Sequence, residues 1–201
     1  MRTRRTIRLW VLLLGAAVIA AGIVAVSLIP SLRHALWGNP DHDTAAPGLS
    51  SGSDATVPRP EDAFALTVEY VYDGDTIDAV VENPNELFPT RAPVRIRLIG
   101  IDTPEGTPTV ECGAEEARDH LRALLPEGSR VWGAADRDPR DRYDRALLYL
   151  WTDGGTFVNH ELVAAGDAEA IRVGRNDAHF ALLSAAEHRA RRAGLGQWGS
   201  C

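Results

Sequence analysis

An α+β fold, a small antiparallel β-barrel with helices at its side, is predicted for residues 63–201 by three observations. Five short segments rich in β-branched and aromatic residues partly alternate apolar with polar positions, the period of a half-buried strand. Three other segments repeat apolar residues at helical spacing. Their order, β-β-β-α-β-β-α-α, leaves few parallel crossovers and so disfavours a doubly wound sheet.

Taken in order, Phe64–Tyr72 (FALTVEYVY) reads as the first strand, and TIDAVVE, after a turn at Gly74, as its neighbour. Glu82–Pro93 (ENPNELFPTRAP) carries three prolines, which cannot donate to a sheet ladder, and is expected to form a long hairpin loop. In Val94–Ile101 (VRIRLIGI) the residues Val94, Ile96 and Leu98 alternate with Arg95, Arg97, Ile99 and Ile101, so Arg95 and Arg97 point the same way. GAEEARDHLRALL, after Cys112, sets Ala117, Leu121, Leu124 and Leu125 at helical spacing and stops at Pro126-Glu127-Gly128. SRVWGAA and RALLYLW are the remaining strands, joined by the charged loop DRDPRDRYD. FVNHELVAAG is a short helix ended by Gly166, and a final helix over 177–193 is expected with Asn176 as its N-cap and Gly194 at its end. His160 and His188 join no cluster and read as surface or helix-packing residues.

Upstream of the domain, Arg2, Arg4, Arg5 and Arg8 precede Trp10–Ile29, twenty residues without a charge. As a helix that run spans roughly 30 Å, one hydrocarbon core. It predicts an N-terminal transmembrane helix within residues 1–30; a cleaved secretory signal is the alternative, since Ala25-Val26-Ser27 supplies small residues for cleavage. Either way the arginines stay inside and the remainder is exported, which places the protein at the cell membrane with an extracytoplasmic domain, or secreted. Residues 31–62, rich in Pro, Gly, Ser, Ala and Asp, read as a flexible linker. Cys112 and Cys201 both fall in the exported part, where a disulfide is the economical reading and two free thiols the alternative.

Composition constrains the partners. With 45% apolar and 6% aromatic residues the chain is globular rather than disordered as a whole, and its net charge of -7 gives no overall attraction for nucleic acid. From Phe64 onward 15 arginines face 23 carboxylates, and the sequence contains no lysine. Any anion site must therefore be local and built from arginine.

The chemistry is carried first by Tyr72-Asp73-Gly74-Asp75-Thr76-Ile77, two carboxylates around a glycine after a strand. A phosphatase of the haloacid-dehalogenase type also uses Asp-x-Asp-x-Thr, but it needs a helix after the loop and a cation to balance an aspartyl-phosphate; here a strand follows and lysine is absent. A calcium-binding helix-loop-helix motif fails because Ile77 stands at a ligand position and Asp78 where glycine is required. The second segment, Arg95–Glu105 (RIRLIGIDTPE), brings Asp102, Thr103 and Glu105 to the end of a strand stiffened by Pro104. Asp75, Asp102 and the Thr103 carbonyl form an all-oxygen set suited to Ca2+, with Glu105 near enough to orient or deprotonate a water. Arg97 and Arg145 supply planar forks for phosphate oxygens.

These segments, with CGAEEA, DRYDRALLYLW, GGTFVNHELVAAG and the closing GLGQW, are similar in order and spacing to the staphylococcal nuclease (thermonuclease) family, from about Phe64 to Trp198. The resemblance implies a five-stranded antiparallel OB-type β-barrel with three helices, a bound calcium ion, and hydrolysis of DNA and RNA phosphodiesters that leaves 3'-phosphates. By that resemblance Asp75, Asp102 and Thr103 hold the metal, Glu105 is the general base or water-positioning group, Arg97 and Arg145 grip the scissile phosphate, and Tyr143 contacts a substrate phosphate. Asp73 is expected to brace the turn at Gly74. Three departures stand out: Asp144 where the family has glycine, the lysine-free loop GTPTVE after Glu105, and Ile171, Arg172 and Val173 in place of stacking tyrosines. A non-catalytic OB-fold binding module is the alternative function. No protein partner is implied, and a monomer is expected.

Overall fold

The computed structural model describes residues 57–201. The expected membrane segment at 1–30, and residues 31–56 of the expected linker, lie outside the described residues. Among the described residues no helix is long and apolar enough to cross a membrane.

Five strands close into a barrel: β1 (Phe64–Val71), β2 (Thr76–Val81), β3 (Val94–Leu98), β5 (Arg130–Ala134) and β6 (Ala146–Thr152), in the spatial order β1-β2-β3-β6-β5. Four of the neighbouring pairs are antiparallel, but β3 and β6 run parallel, with Arg97 opposite Leu147. The expectation of a purely antiparallel barrel is corrected here for a geometric reason. A closed ring with an odd number of strands cannot alternate direction at every step, so one pair must be parallel. The connection between those two strands is correspondingly long and contains α1 (Ala114–Leu124) and β5.

The inward residues alternate as the sequence predicts, with Leu66, Val68, Ile77, Ile96, Leu98, Leu148 and Leu150 all buried. Burying a side chain of this kind stabilises the fold by about 1.5–3 kcal/mol. Trp151 stacks on Phe157 and donates from Nε1 to the Val57 carbonyl at 3.0 Å, which ties the first described residue to the barrel. β1 carries a bulge between Val68 and Tyr70 that leaves both Glu69 and Tyr70 outside.

The expected strand over Val94–Ile101 breaks at Gly100, whose φ of 79° is open to glycine at little cost, and restarts as the two-residue β4 (Ile101–Asp102). β4 pairs with β7 (Glu169–Ala170) outside the barrel. Behind this turn lies α2 (Val158–Ala165), packed on β6 and on α3 (Phe180–Ala193). Asn159 of α2 is fully buried; its Oδ1 accepts from the Leu150 N–H at 3.0 Å and its Nδ2 donates to the Ile99 carbonyl at 2.8 Å. One side chain thus fixes the turn that delivers Asp102. α2 and α3 end at Gly166 and Gly194, as expected.

The N-terminus of α3 differs from the sequence reading: the helix begins at Phe180, and Asn176 is not its cap. Asn176 is fully buried, and its amide satisfies both the N–H and the carbonyl of Asp138, at 2.8 and 2.9 Å. Those buried backbone groups outcompete a helix end for the side chain. A short α4 (Gln197–Ser200) closes the chain. The Cys112–Cys201 disulfide is present, with Cα atoms 5.9 Å apart and 89 residues of separation. A loop of that length corresponds to about 4–5 kcal/mol in the chain-entropy model. His160 is buried in α2 and His188 is exposed on α3, both as expected.

Candidate active site

Gly74 allows the first motif to pack where it does. A Cβ there would stand 2.7 Å from the Ala117 Cβ and 2.8 Å from the Thr103 Cγ2, so any other residue would push the Asp73–Asp75 turn off α1 and off the Thr103 segment. Asp73 accepts the Asp75 N–H on Oδ1 at 3.1 Å, the turn-bracing contact anticipated for it.

Asp75 is 5% exposed. Its Oδ2 accepts from both the N–H and the hydroxyl of Thr103 at 3.1 Å and lies 2.8 Å from Arg97 Nη1, while Oδ1 accepts from the Thr76 hydroxyl. Arg97 reaches the other way as well, donating from Nη2 to Asp102 Oδ1 at 2.6 Å and from Nη1 to the carbonyls of Leu98 and Ile101. One guanidinium therefore bridges both predicted metal carboxylates, which come from the start of β2 and from β4, and Thr103 sits against the first. Arg97 is held at the barrel rim by its place on β3, pointing to the same side as Arg95.

Burial pushes the Asp75 carboxyl up to about 7, with Asp73 adding to the rise and Arg97 opposing it. Glu105 is also raised, by burial first and then by the charges of Asp73 and Asp102. Its backbone is fixed by exchange with Glu111: the Glu105 N–H donates to Glu111 Oε2 at 3.0 Å and the Glu111 N–H to the Glu105 carbonyl at 2.8 Å. Cys112 follows directly, so the disulfide pins the far end of the Glu105 loop. Glu105 lines a cleft of about 280 Å³ with Tyr72, Asp73, Ala114 and Arg118.

Arg145 and Tyr143 lie in a different and larger cleft, about 810 Å³, lined also by Leu87, Arg140, Leu147 and Val173. The structure does not bring Arg145 into the Asp75–Arg97–Asp102 cluster, but Leu147, which lines the larger cleft, is the parallel partner of Arg97. Asp141 shapes this side. Its Oδ1 accepts from the N–H groups of Tyr143 and Arg145 at 2.9 Å and its Oδ2 from Arg145 Nε at 2.7 Å. Asp144 has φ 63°, which explains why glycine suits the position, and its carboxylate pairs with Arg140 at 3.2 Å rather than with Arg145. Asp141, Glu111 and Asn159 were not singled out in the sequence; each acts through a backbone contact that only the folded chain creates. For Asp141 its place inside DRYDR, four residues before Arg145, was the available signal.

The chain matches the family model described as "Staphylococcal nuclease homologue" over residues 95–200, which takes in Arg97, Asp102, Thr103, Glu105, Tyr143 and Arg145. It is 33% identical over 135 residues to a thermonuclease of Staphylococcus intermedius, covering 65% of this chain and 74% of that protein. It is 30% identical over 119 residues to Endonuclease YhcR of Bacillus subtilis (strain 168), covering 55% of this chain but 9% of that protein. A thermonuclease of Staphylococcus hyicus is 28% identical over 152 residues, covering 74% of this chain and 76% of that protein. With a family model matched over more than half of its length and a barrel whose rim gathers the motif residues, the chain belongs to the staphylococcal nuclease family.

Proposed function

We propose that this chain is a calcium-dependent nuclease that hydrolyses phosphodiesters of DNA, RNA or both outside the cytoplasm, leaving 3'-phosphates. The observation that carries the reading is the Asp75–Arg97–Asp102 bridge at one barrel rim, with the raised Glu105 beside it. Relatives named as nucleases support it.

The residues fit a hard divalent cation. Two carboxylates, Asp75 and Asp102, with the Thr103 carbonyl and water would hold it; among the described residues no three His, Cys, Asp or Glu side chains stand together as a ready metal cluster. The donors are all oxygen, and the Asp75 carboxyl, pushed up to about 7 chiefly by burial, would be held ionised by a divalent ion. Bound there, calcium supplies positive charge beside a phosphate oxygen.

The chain's own groups do the rest. Arg97 already donates to two carboxylates through both Nη atoms and is positioned to exchange one of them for a phosphate oxygen. Arg145, oriented by Asp141, supplies a second fork from the neighbouring cleft. Glu105, its carboxyl raised by burial, accepts a proton from water as the water oxygen bonds to phosphorus. The bond from phosphorus to the 5'-oxygen breaks, and the leaving oxygen is protonated from solvent. Tyr143 stands at the mouth of the larger cleft, suited to a flanking phosphate. The Cys112–Cys201 disulfide and the N-terminal apolar run support an exported domain, held at the membrane or secreted, and we take it to act as a monomer.

Digestion of 5'-labelled single-stranded DNA and RNA by the purified full chain tests this reading. Fragments bearing 3'-phosphates are expected with calcium and none with chelator. Absence of cleavage of both strands in excess calcium would leave the non-catalytic binding module in its place.

A further inference from the structure

We propose that the outer face of β1–β3 together with α1 forms a second binding surface, which takes the single-stranded nucleic acid that extends from the candidate active site. The proposal rests on the nuclease reading but concerns residues outside the site. Tyr70, Asp78 and Arg95 are direct cross-strand partners on three adjacent strands. The bulge before Tyr70 turns it outward, and Tyr72 stands against it edge to face with ring centroids 4.8 Å apart. Arg95 lies flat over the Tyr72 ring at 3.8 Å, locked there by a bidentate pair with Asp78, which also accepts from the Tyr72 hydroxyl at 2.6 Å. From α1, one turn apart, Arg118 donates to the Tyr70 hydroxyl at 3.1 Å and Arg122 stands 6.0 Å from the Tyr70 ring. The result is a continuous row, Arg122–Tyr70–Tyr72–Arg95, with Arg118 alongside.

Three features suit this row to a polynucleotide. Tyr70, Tyr72 and the Arg95 side chain are 40%, 37% and 46% exposed, so all three are open to a ligand. Arg118 and Arg122 form no ion pair among the described residues, and Arg118 Nε is buried without a hydrogen-bond partner, so positive charge is left over in a domain with more carboxylates than arginines. Finally, the row runs into the candidate site, because Tyr72 and Arg118 line the same cleft as Glu105. Aromatic rings and a guanidinium plane held flat offer stacking to bases of any identity, and the arginines meet the backbone charge.

The experiment compares a fluorescent single-stranded 16-mer with a dinucleotide on the full chain. Binding is read by anisotropy in chelator and turnover in calcium, for wild type, Tyr70→Ala, Arg122→Gln and the double variant. The 16-mer affinity of Tyr70→Ala should fall by about 5- to 150-fold, the equivalent of one lost base stack, while dinucleotide binding and turnover stay at wild-type values. For Arg122→Gln the slope of log affinity against log salt should drop by about 0.7, a change that a merely structural role would not produce. Unchanged 16-mer affinity in a folded double variant, or a wild type that holds the 16-mer no better than the dinucleotide, would overturn the proposal. A wild type that cleaves neither strand but loses 16-mer binding in the variants would keep the surface and refute the nuclease reading.

Discussion

Asp75 and Asp141 each face an arginine at nearly the same distance, 2.8 Å from Arg97 and 2.7 Å from Arg145, yet their carboxyls move in opposite directions. Asp75 is almost wholly buried and shares its pocket with Asp73, so burial pushes it up to about 7 despite the arginine. For Asp141 burial also works upward, but hydrogen bonds from the Arg145 side chain and from the Arg145 and Tyr143 N–H groups outweigh it and hold the carboxyl below its ordinary range. Contact distance therefore does not rank these pairs. Desolvation and the count of nearby charges do. In one pair burial outweighs the arginine, whereas the other is satisfied and serves to aim an arginine.

Breaking each pair from its arginine side gives the largest contrast. Arg97→Ala should lower turnover by about 10²–10³-fold and, measured by urea unfolding in chelator near pH 8, cost about 3–5 kcal/mol, because a buried carboxylate loses its partner. Arg145→Ala should lower turnover to a similar extent but cost about 1 kcal/mol or less, since its pair is part-exposed. Equal stability costs for the two variants would break the distinction. Next in size is the staple behind the Glu105 loop. Cys112→Ser should remove about 4 kcal/mol in the same unfolding assay.

The pH dependence sharpens the comparison further. Asp75 has its folded value raised from the ordinary range to about 7, so the unfolded chain releases that proton first. Stability in chelator should then be highest at acid pH for this group and fall as pH climbs from about 4 through 7, by up to about 4 kcal/mol. Asp75→Asn should abolish that fall, and saturating calcium should flatten it. Asp141→Asn should produce the opposite sign, with the wild type alone gaining stability as pH rises through the acid range. The smallest effect is expected at Asp144. Replacement by glycine relieves a left-handed backbone and loses an exposed ion pair, contributions of about 1 kcal/mol each that nearly cancel, so unfolding should shift little while turnover rises modestly as a carboxylate next to Arg145 is removed.

Much of the barrel was legible because its signals are local. The alternation in FALTVEYV and VRIRL, the three prolines between β2 and β3, and the glycines that end α2 and α3 all act through the chain's own backbone. The parallel β3–β6 pair was not legible, since no local pattern records that five strands must close. Asn176 misled for the same reason: its amide is claimed by Asp138, 38 residues away in sequence. At the candidate site the spacing of Asp75, Asp102, Thr103 and Glu105 was enough to place them on one rim. The Arg97 bridge between two carboxylates, and the separation of Arg145 into a second cleft, depend on side-chain directions that spacing alone does not fix.

We propose a cation site at Asp75 and Asp102 on which turnover depends. Its most direct measurement is turnover of single-stranded DNA by the full chain as calcium is titrated into a chelated sample, in parallel for wild type and Asp102→Asn. Turnover should rise from zero to saturation in the wild type and need at least tenfold more calcium in the variant. Turnover that is independent of calcium, or an identical calcium dependence in the two proteins, would contradict the claim.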